Sequence, residues 1–202
     1  MIEVEKKLAL ALEHLEEIQS KGQLLEEVTY SDTYYDMSDF CLTTGNVWLR
    51  ERNGRFQLKI KGRIGSSEEV QDDNEILRQL GLESEQPILA TLEQAEITPF
   101  CKLTTQRRKF LLDEIPIHID QVDFGDQTYS VAEINITVEK KKDATSITKK
   151  INQLLKRWNI DADTNAPSKI SVYLHRKNPS HFEALLKAGV AQPILEEALS
   201  TK

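Results

Sequence analysis

The chain has 202 residues, of which 39% are hydrophobic and 29% charged, with a formal net charge of −7. This length can bury a core without disulfides, and the composition is that of a soluble globular protein. The acidic charge argues against a general binder of nucleic acids or anionic membranes, because such proteins carry basic surfaces. Two isolated cysteines argue against a disulfide scaffold, and no apolar run approaches the ~20 residues of a membrane span.

The first predicted element is a strand over residues 2–8, in which Glu3, Glu5 and Lys7 alternate with mostly apolar residues. Because successive side chains of a strand point to opposite faces, these three share one face. Two carboxylates and an ammonium on one face would make a poor core surface. They would instead hold a divalent cation beside an anion, since hard cations prefer carboxylate oxygens.

A helix over residues 9–18 and a strand over residues 24–35 are predicted next, followed by a loop to residue 45. Two strand-like runs, 47–52 and 55–61, are then separated by Asn53-Gly54, which is the strongest short signal for a hairpin. Alternation places two pairs of like charges on the faces of this hairpin. They are Arg50 with Arg52, on the face that also carries Trp48, and Lys59 with Lys61.

The second half of the chain predicts three more strands and further helices. Strands are expected within residues 97–112, 115–124 and 131–138, the first carrying the basic run 106–109 and the last carrying Glu133 and Asn135. Helices are expected at 75–80, 87–95, 143–158, 168–176 and 182–188, with Asp143 as an N-cap. We find neither an internal repeat nor a low-complexity linker, so one domain over residues 1–190 with a tail at 191–202 is favoured.

Paired like charges on several strand faces are unusual, because they repel unless opposite charges lie between them. Any one pair is more often solvated surface, but their coincidence with the acidic first strand favours a site. A closed antiparallel β-barrel with a charged interior and outer helices would meet this requirement and leave no sheet edge. The single histidines His118 and His175 have no ligand spacing and receive no role.

The order of the motifs resembles that of the CYTH domain, or triphosphate tunnel metalloenzyme, superfamily. Glu3-x-Glu5-x-Lys7 is similar to its opening signature. Further matching segments follow over residues 3–174: Asp32-Thr33-Tyr34-Tyr35-Asp36, Trp48-Leu49-Arg50-x-Arg52, Leu58-Lys59, Arg107, Asp120-x-x-Asp123-Phe124-Gly125, Glu133 and Pro167-Ser168-Lys169-x-x-Val172-Tyr173-Leu174. The soluble thiamine triphosphatase branch is the most similar.

The resemblance implies an α+β fold, with an eight-stranded antiparallel β-barrel tunnel surrounded by helices. It implies hydrolysis of a triphosphate, most simply thiamine triphosphate to the diphosphate, with Mg²⁺ or Mn²⁺ as cofactor. Metal ligands would be Glu3, Glu5, Asp120, Glu133 and Asn135. Substrate ligands would be Lys7, Trp48, Arg50, Arg52, Lys59, Arg107 and Lys169, with Trp48 stacking on thiamine. Catalytic roles fall to Glu3, Glu5, Lys59 and Glu133.

One position departs from the family pattern, where the last acidic strand usually reads Glu-x-Glu. Here it reads Glu133-Ile134-Asn135, and an amide offers a cation one neutral oxygen and no charge. Weaker metal affinity, loss of a second metal, or a changed substrate or metal preference are all compatible with this departure.

Several functions remain open from the sequence. An inorganic tripolyphosphatase would use the same charges without needing Trp48, and the adenylate cyclase activity of the superfamily fits the motifs less well. A non-catalytic binding module for triphosphates would follow if Asn135 abolished turnover, and a plain structural β-domain would bind nothing. With no leader segment and no heptad pattern visible, we expect a cytoplasmic monomer acting on a small molecule, without nucleic-acid or membrane partners.

Overall fold

The computed structural model describes residues 2–8, 12–61, 67–138, 141–158 and 166–194. The strands are β1 (Ile2–Leu8), β2 (Gln23–Asp36), β3 (Val47–Arg52), β4 (Arg55–Lys61), β5 (Ser67–Val70), β6 (Thr98–Leu112), β7 (Ile115–Asp123) and β8 (Thr128–Val138). The helices are α1 (Leu12–Lys21), α2 (Cys41–Thr44), α3 (Asp73–Gln79), α4 (Ile88–Gln94), α5 (Lys141–Arg157), α6 (Lys169–Lys177) and α7 (Pro179–Lys187).

All eight strands belong to one sheet with the order β1-β8-β7-β6-β2-β3-β4-β5. The ladders β1–β8, β7–β8, β6–β7, β2–β3, β3–β4 and β4–β5 are antiparallel. The predicted α+β fold with eight antiparallel strands is therefore confirmed. The predicted closure of the sheet into a barrel is not observed, because within the described residues β1 and β5 are the two ends of an open sheet.

Two tight turns fix the register of the hairpins. Asn53 and Gly54 have φ of 48° and 81°, the positive values that a type I′ turn between right-twisted strands needs. The β6–β7 turn uses Asp113 and Glu114 with φ of 47° and 64°, although neither residue is a glycine. The first turn was predicted from Asn53-Gly54, and the second fills the two-residue gap between the predicted strands 97–112 and 115–124. Together they set which polar residues lie opposite each other.

Several element boundaries differ from the predictions, among them those of α2 and α5. The loop after β2 contains the short helix α2, whose N–H groups at Leu42 and Thr43 donate to the buried carboxylate of Asp36. Helix α5 begins at Lys141, so Asp143 lies in its first turn rather than at its N-cap. Residues 9–11 of the first predicted helix and residues 195–202 of the predicted tail lie outside the described part of the chain.

The chain divides into two compact units. The first contains Met1–Thr29, Thr104–Val172 and Ile194–Lys202, and the second contains Tyr30–Leu103 and Tyr173–Pro193. The single domain over residues 1–190 stays a prediction, and each unit is described by itself below.

The core of the first unit forms where α1 and α5 cover one face of its strands. Ile117 and Ile134 from the sheet pack with Ile18 of α1 and with Ile151 and Leu154 of α5, all at most 1% exposed. Burying side chains of this size contributes about 1.5–3 kcal/mol each relative to leaving them in water. This apolar face uses every second residue, so the polar residues of the same strands lie on the opposite face.

The core of the second unit follows the same design with α3 and α4. Leu49 and Leu58 of the β3–β4 hairpin are fully buried with Ile76 of α3 and Leu92 of α4. Alternation leaves Arg50, Arg52 and Lys59 on the other face, whereas Glu51 shares the face of Leu49 and accepts a hydrogen bond from the core residue Tyr35.

No helix in the described ranges is both long and apolar enough to cross a membrane. Both cysteines are free thiols, with Cys41 exposed and Cys101 buried, as expected from their isolation in the sequence.

Candidate functional site

The polar face of the first unit is assembled by the register of four strands. Lys7 on β1 lies opposite Glu133 on β8, which lies opposite His118 on β7, which lies opposite Lys109 on β6. In the next row, Asp120 on β7 lies opposite Arg107 on β6. Cations and carboxylates therefore alternate across neighbouring strands.

Arg107 and Asp120 form a bidentate ion pair on this face. The guanidinium donates Nε to Asp120 Oδ1 at 2.6 Å and Nη2 to Oδ2 at 2.7 Å, a bidentate geometry. Asp120 is only 2% exposed. Burial alone would raise the pKa of Asp120, but the hydrogen bonds and charge of Arg107 outweigh burial and hold that pKa below its usual range.

Glu133 is held more loosely. Its Oε2 lies 3.3 Å from Arg107 Nη2, and its Oε1 lies 3.8 Å from Lys7 Nζ. Its side chain is 17% exposed, against 2% for Asp120. Asp120 and Glu133 are the two predicted metal-binding carboxylates on β7 and β8. A cation that bound Glu133 would break longer contacts than one that bound Asp120, so Glu133 is the better suited of the two.

Lys169, at the start of α6, reaches the same network. Its Nζ donates to Thr105 Oγ1 at 3.2 Å and lies 3.7 Å from Asp120 Oδ2. Thr105 is fully buried, so this hydrogen bond ties the end of the lysine side chain to a buried residue of β6. Lys7, Arg107 and Lys169 thus each lie within 3.8 Å of a carboxylate oxygen of Asp120 or Glu133. Their roles as phosphate ligands stay a prediction.

The acidic strand β1 is described through its backbone register. Glu3 pairs with Thr137 and Glu5 with Asn135, while the side chains of both glutamates lie outside the described atoms. Among the side chains that are described, no three acidic, histidine or cysteine groups converge as a cation site. A metal centre on this face would therefore need donors from β1 in addition to Glu133.

His118 shares this face although the sequence assigned it no role. It is half-buried, and its Nδ1 is shielded from solvent without a hydrogen-bond partner among the described atoms. Burial and the nearby charge of Arg107 lower the pKa of His118, so the neutral imidazole is favoured.

The polar face of the second unit carries a matching arginine–carboxylate pair. Arg52 donates Nε to Asp32 Oδ1 at 2.7 Å and Nη2 to Oδ2 at 2.8 Å, and Asp32 is fully buried. The guanidinium carbon also lies 3.8 Å from the ring centroid of Tyr30. Burial disfavours the charged guanidinium, but Asp32 outweighs it and raises the pKa of Arg52.

Arg50 differs because its described partners are neutral. Its Nε donates to Gln57 Oε1 at 2.8 Å and its Nη1 to Tyr34 OH at 3.5 Å. The residue is half-buried, and within the described residues its contacts include no carboxylate. A partly desolvated guanidinium with uncharged partners is suited to receive an anion.

Trp48 and Lys59 lie opposite each other in the β3–β4 register, on the same face as Arg50. Trp48 is half-buried, and its Nε1 lies 3.4 Å from Asn46 Oδ1. Lys59 is also half-buried and faces Glu69 across β4 and β5. The hairpin thus presents an aromatic ring beside cationic groups, as predicted.

The structure gathers the predicted site residues into two groups. The first unit brings together Lys7, Arg107, Asp120, Glu133 and Lys169, and the second brings together Trp48, Arg50, Arg52 and Lys59. Sequence reasoning missed Asp32, Gln57, Thr105 and His118. Asp32 stood in a quoted motif, and an acid directly beside Thr33, Tyr34 and Tyr35 was a signal that it needs a cation partner.

Comparison with curated proteins finds thiamine-triphosphatases. The human thiamine-triphosphatase is 28% identical over an alignment of 212 positions that covers 94% of this chain and 91% of the human protein. The thiamine-triphosphatase of Macaca fascicularis matches with the same identity and coverage.

Solved structures show the same fold at low sequence identity. The PH1819 protein from Pyrococcus horikoshii OT3 matches with a TM-score of 0.57 and 18% identity, covering 87% of this chain and 99% of that protein. HpAC1 from Hippeastrum, described as having a dominant triphosphatase activity, matches with a TM-score of 0.58 and 16% identity over 86% of this chain and 95% of its own. The CYTH domain family model matches residues 1–168. The chain therefore belongs to the CYTH domain family.

Proposed function

We propose that the protein hydrolyses the terminal phosphate of a triphosphate, with thiamine triphosphate as the substrate and thiamine diphosphate and phosphate as products. The observation that carries this proposal is Arg50, a half-buried guanidinium whose described partners are the neutral groups of Gln57 and Tyr34. A charge held in this way is poised for an anionic ligand. The similarity to human thiamine-triphosphatase supports the choice of that anion.

In this proposal the two polar faces have different tasks. Arg50, Arg52 and Lys59 bind phosphate oxygens, since arginine forks match them bidentately. Lys7, Arg107 and Lys169 neutralise phosphate charge beside the carboxylates of the first unit. Trp48 stacks on the thiamine moiety, whose thiazolium ring is a cation that an indole face attracts.

Glu3, Glu5 and Glu133, with Asn135 as a neutral donor, are the residues proposed to hold a divalent cation. CYTH triphosphatases depend on metals in general, and we propose Mg²⁺, with Mn²⁺ as a substitute. When bound, such an ion would neutralise phosphoryl charge and orient a water for attack on the terminal phosphorus. In this proposal Glu3, Glu5 and Glu133 would accept a proton from that water, and Lys59 would stabilise charge on the phosphate oxygens.

Asp120 was predicted to be a metal ligand, but both of its oxygens accept hydrogen bonds from Arg107. We propose that it positions Arg107, and that metal binding would require the arginine to release one oxygen.

The first experiment is phosphate release with Mg²⁺ or Mn²⁺, comparing thiamine triphosphate, inorganic tripolyphosphate and ATP in parallel. We expect preference for thiamine triphosphate, and a Trp48→Leu variant to raise its KM about tenfold, since a desolvated cation–aromatic contact contributes about 1–2 kcal/mol. Tripolyphosphate turnover by the same variant should be unchanged, because that substrate has no ring.

Trp158→Leu is the matched control, because Trp158 follows α5 and packs on the core of the first unit. A preference for tripolyphosphate would keep the phosphate chemistry and discard thiamine. Absence of metal-dependent release from all three substrates would overturn the hydrolase proposal.

A second candidate, a triphosphate-binding module without turnover, is favoured by Asn135, which removes one expected carboxylate. Turnover that is absent in the natural protein and restored by Asn135→Glu would select it. In either case the partner is a small molecule, and we propose a cytoplasmic monomer, consistent with two free thiols and an acidic net charge.

A further inference from the structure

The indole ring of Trp48 is held at one edge by a residue that precedes β3. Its Nε1–H donates to Asn46 Oδ1 at 3.4 Å, and both residues are half-buried. The N–H lies in the plane of an indole, so this contact restrains the edge of the ring and leaves its two faces for stacking. Asn46 therefore bears on the angle at which the ring of Trp48 can meet a ligand.

The backbone of Asn46 is itself fixed in an uncommon conformation. Its φ is 63°, in the left-handed region that asparagine, aspartate and glycine adopt most readily. Its N–H donates to the carbonyl of Thr43 at 3.0 Å, and its carbonyl accepts from the N–H of Lys61 at 3.0 Å. Asn46 is therefore tied to α2 on one side and to the end of β4 on the other.

Thr43, which accepts the Asn46 N–H, belongs to a buried polar cluster of the second unit. Its hydroxyl donates to Asp36 Oδ2 at 2.6 Å and lies 2.7 Å from Nε2 of His181 on α7. Asp36, Thr43 and His181 are at most 2% exposed, and the ring of Phe40 stacks on His181 with centroids 4.0 Å apart. Buried hydrogen-bonded networks rigidify the segments that they join. The position of Asn46 is therefore set by contacts in the core of its unit.

We propose that Asn46 is a positioning residue, which orients the Trp48 indole for stacking on a cationic ring of the substrate and so favours thiamine triphosphate over a triphosphate without a ring. This inference rests on the function proposed above and deepens it. A side chain that is ordered before binding loses less rotational freedom when the ligand arrives. Asn46 acts through Trp48 and touches no phosphate in this role, so its effect should depend on the ring of the substrate.

The first test is a ligand-free NMR measurement of the indole N–H groups. The chain has two tryptophans, so a ¹H–¹⁵N spectrum contains two indole signals, which Trp158→Phe assigns. Asn46→Gly removes the acceptor at a position where glycine adopts the same φ without steric cost. We expect the Trp48 proton signal to move upfield in Asn46→Gly, as for a lost hydrogen bond. It should not move upfield in Asn46→Asp, which keeps an acceptor oxygen.

The second test compares substrates with and without a ring. We expect Asn46→Gly to raise the KM for thiamine triphosphate about threefold, because a neutral hydrogen bond supplies a factor of about 2–10 and this one is long. The KM for inorganic tripolyphosphate should not follow this rise. Asn46→Asp should keep the natural KM for thiamine triphosphate, which a role of the amide group itself would not allow.

Asn53→Gly is the matched control. Asn53 also has a positive φ, of 48°, and its Oδ1 also accepts a hydrogen bond, from the N–H of Ser31 at 2.9 Å. It follows the other end of β3 from Trp48. Its substitution should leave the Trp48 signal and the KM for thiamine triphosphate unchanged. If Asn46 served only its own turn, Asn46→Gly would behave as Asn53→Gly does.

The outcomes separate this proposal from the function on which it rests. A Trp48 signal that does not move in Asn46→Gly would overturn it. A signal that moves while the KM for thiamine triphosphate stays natural, or rises together with that for tripolyphosphate, would also overturn it and leave the hydrolase proposal standing.

Hydrolysis of none of the triphosphates by the natural protein would end the hydrolase proposal, and a binding measurement then decides on Asn46. Its readout is the Kd of thiamine triphosphate, from quenching of Trp48 fluorescence in the Trp158→Phe background. A Kd raised about threefold by Asn46→Gly and unchanged by Asn53→Gly would support the positioning role. An equal Kd in the two variants, or no binding, would overturn it.

Discussion

Each of the two units contains a bidentate arginine–aspartate ion pair, and the surroundings of the two pairs differ. Arg107 donates hydrogen bonds of 2.6 and 2.7 Å to Asp120, and Arg52 donates hydrogen bonds of 2.7 and 2.8 Å to Asp32. Each carboxylate is at most 2% exposed. In the first unit the arginine also reaches Glu133, at 3.3 Å. In the second it lies over the ring of Tyr30 instead.

This difference separates two kinds of anion chemistry. A second carboxylate beside Arg107 places two acidic groups among the cations of this face, the mixture of charges that our proposal for a metal ion beside a phosphate requires. An aromatic ring beside Arg52 fixes the direction of the guanidinium without neutralising it further. The first unit is therefore the better candidate for the metal, and the second for orienting phosphate and thiamine.

Removing Arg52 or Arg107 should have the largest effect on stability, because it leaves the buried carboxylate of Asp32 or Asp120 without its cationic partner. We expect Arg52→Gln and Arg107→Gln each to lower the free energy of unfolding by about 3–5 kcal/mol. Urea denaturation at neutral pH, followed by circular dichroism, measures this loss.

The paired variants test its cause. Adding Asp32→Asn to Arg52→Gln, or Asp120→Asn to Arg107→Gln, removes the stranded charge and should recover a large part of the stability. Arg55→Gln is the control, since Arg55 is exposed on the same hairpin and should change stability by less than about 0.5 kcal/mol. Double variants no more stable than the single ones would contradict this account.

The sequence predicted which residues share a face but not which residues touch. Alternation and the Asn53-Gly54 turn were enough to place Trp48, Arg50 and Lys59 together, because both signals are local. The partnership of Arg52 with Asp32 depends on the β2–β3 register, which the intervening segment with α2 hides. His118 was set aside because ligand spacing along the chain cannot reveal neighbours on other strands.

The difference between the predicted closed barrel and the open sheet also has a physical explanation. Charge pairing on strand faces predicted that opposite charges must meet, and a closed barrel was one solution. Within each unit the opposite charges already meet on an open stretch of sheet, through Lys7 with Glu133 and Arg52 with Asp32. Ion pairing between opposite charges on strand faces therefore does not by itself require a closed barrel.

Arg50→Gln should separate activity from stability. Its described partners, Gln57 and Tyr34, are neutral, so the substitution leaves no described carboxylate without a cation. We expect kcat/KM for thiamine triphosphate to fall by the equivalent of about 2–4 kcal/mol, as when a transition-state donor is lost. The urea midpoint should stay near that of the natural protein, in contrast to Arg52→Gln. A large stability loss with unchanged kcat/KM would reverse the roles assigned to these two arginines.

The smallest expected effect is a pH dependence of the stability that Asp120 contributes. Because the pKa of Asp120 is lower in the folded chain than in the unfolded chain, the unfolded state binds more protons between the two values. The stabilisation by Asp120 is therefore complete above the unfolded pKa, which is about 3.9 for aspartate, and is lost as pH falls through the folded value. Urea midpoints of the natural protein and Asp120→Asn, measured with a chelator, should differ by a constant amount from pH 6 down to about pH 4 and converge as the pH falls further. Asp113→Asn is the surface control, because its exposed pair with Arg157 at 2.9 Å is screened by solvent and should give a small difference at every pH. A gap for Asp120→Asn that also stays constant below about pH 4 would show that Arg107 orders Asp120 without stabilising its charge.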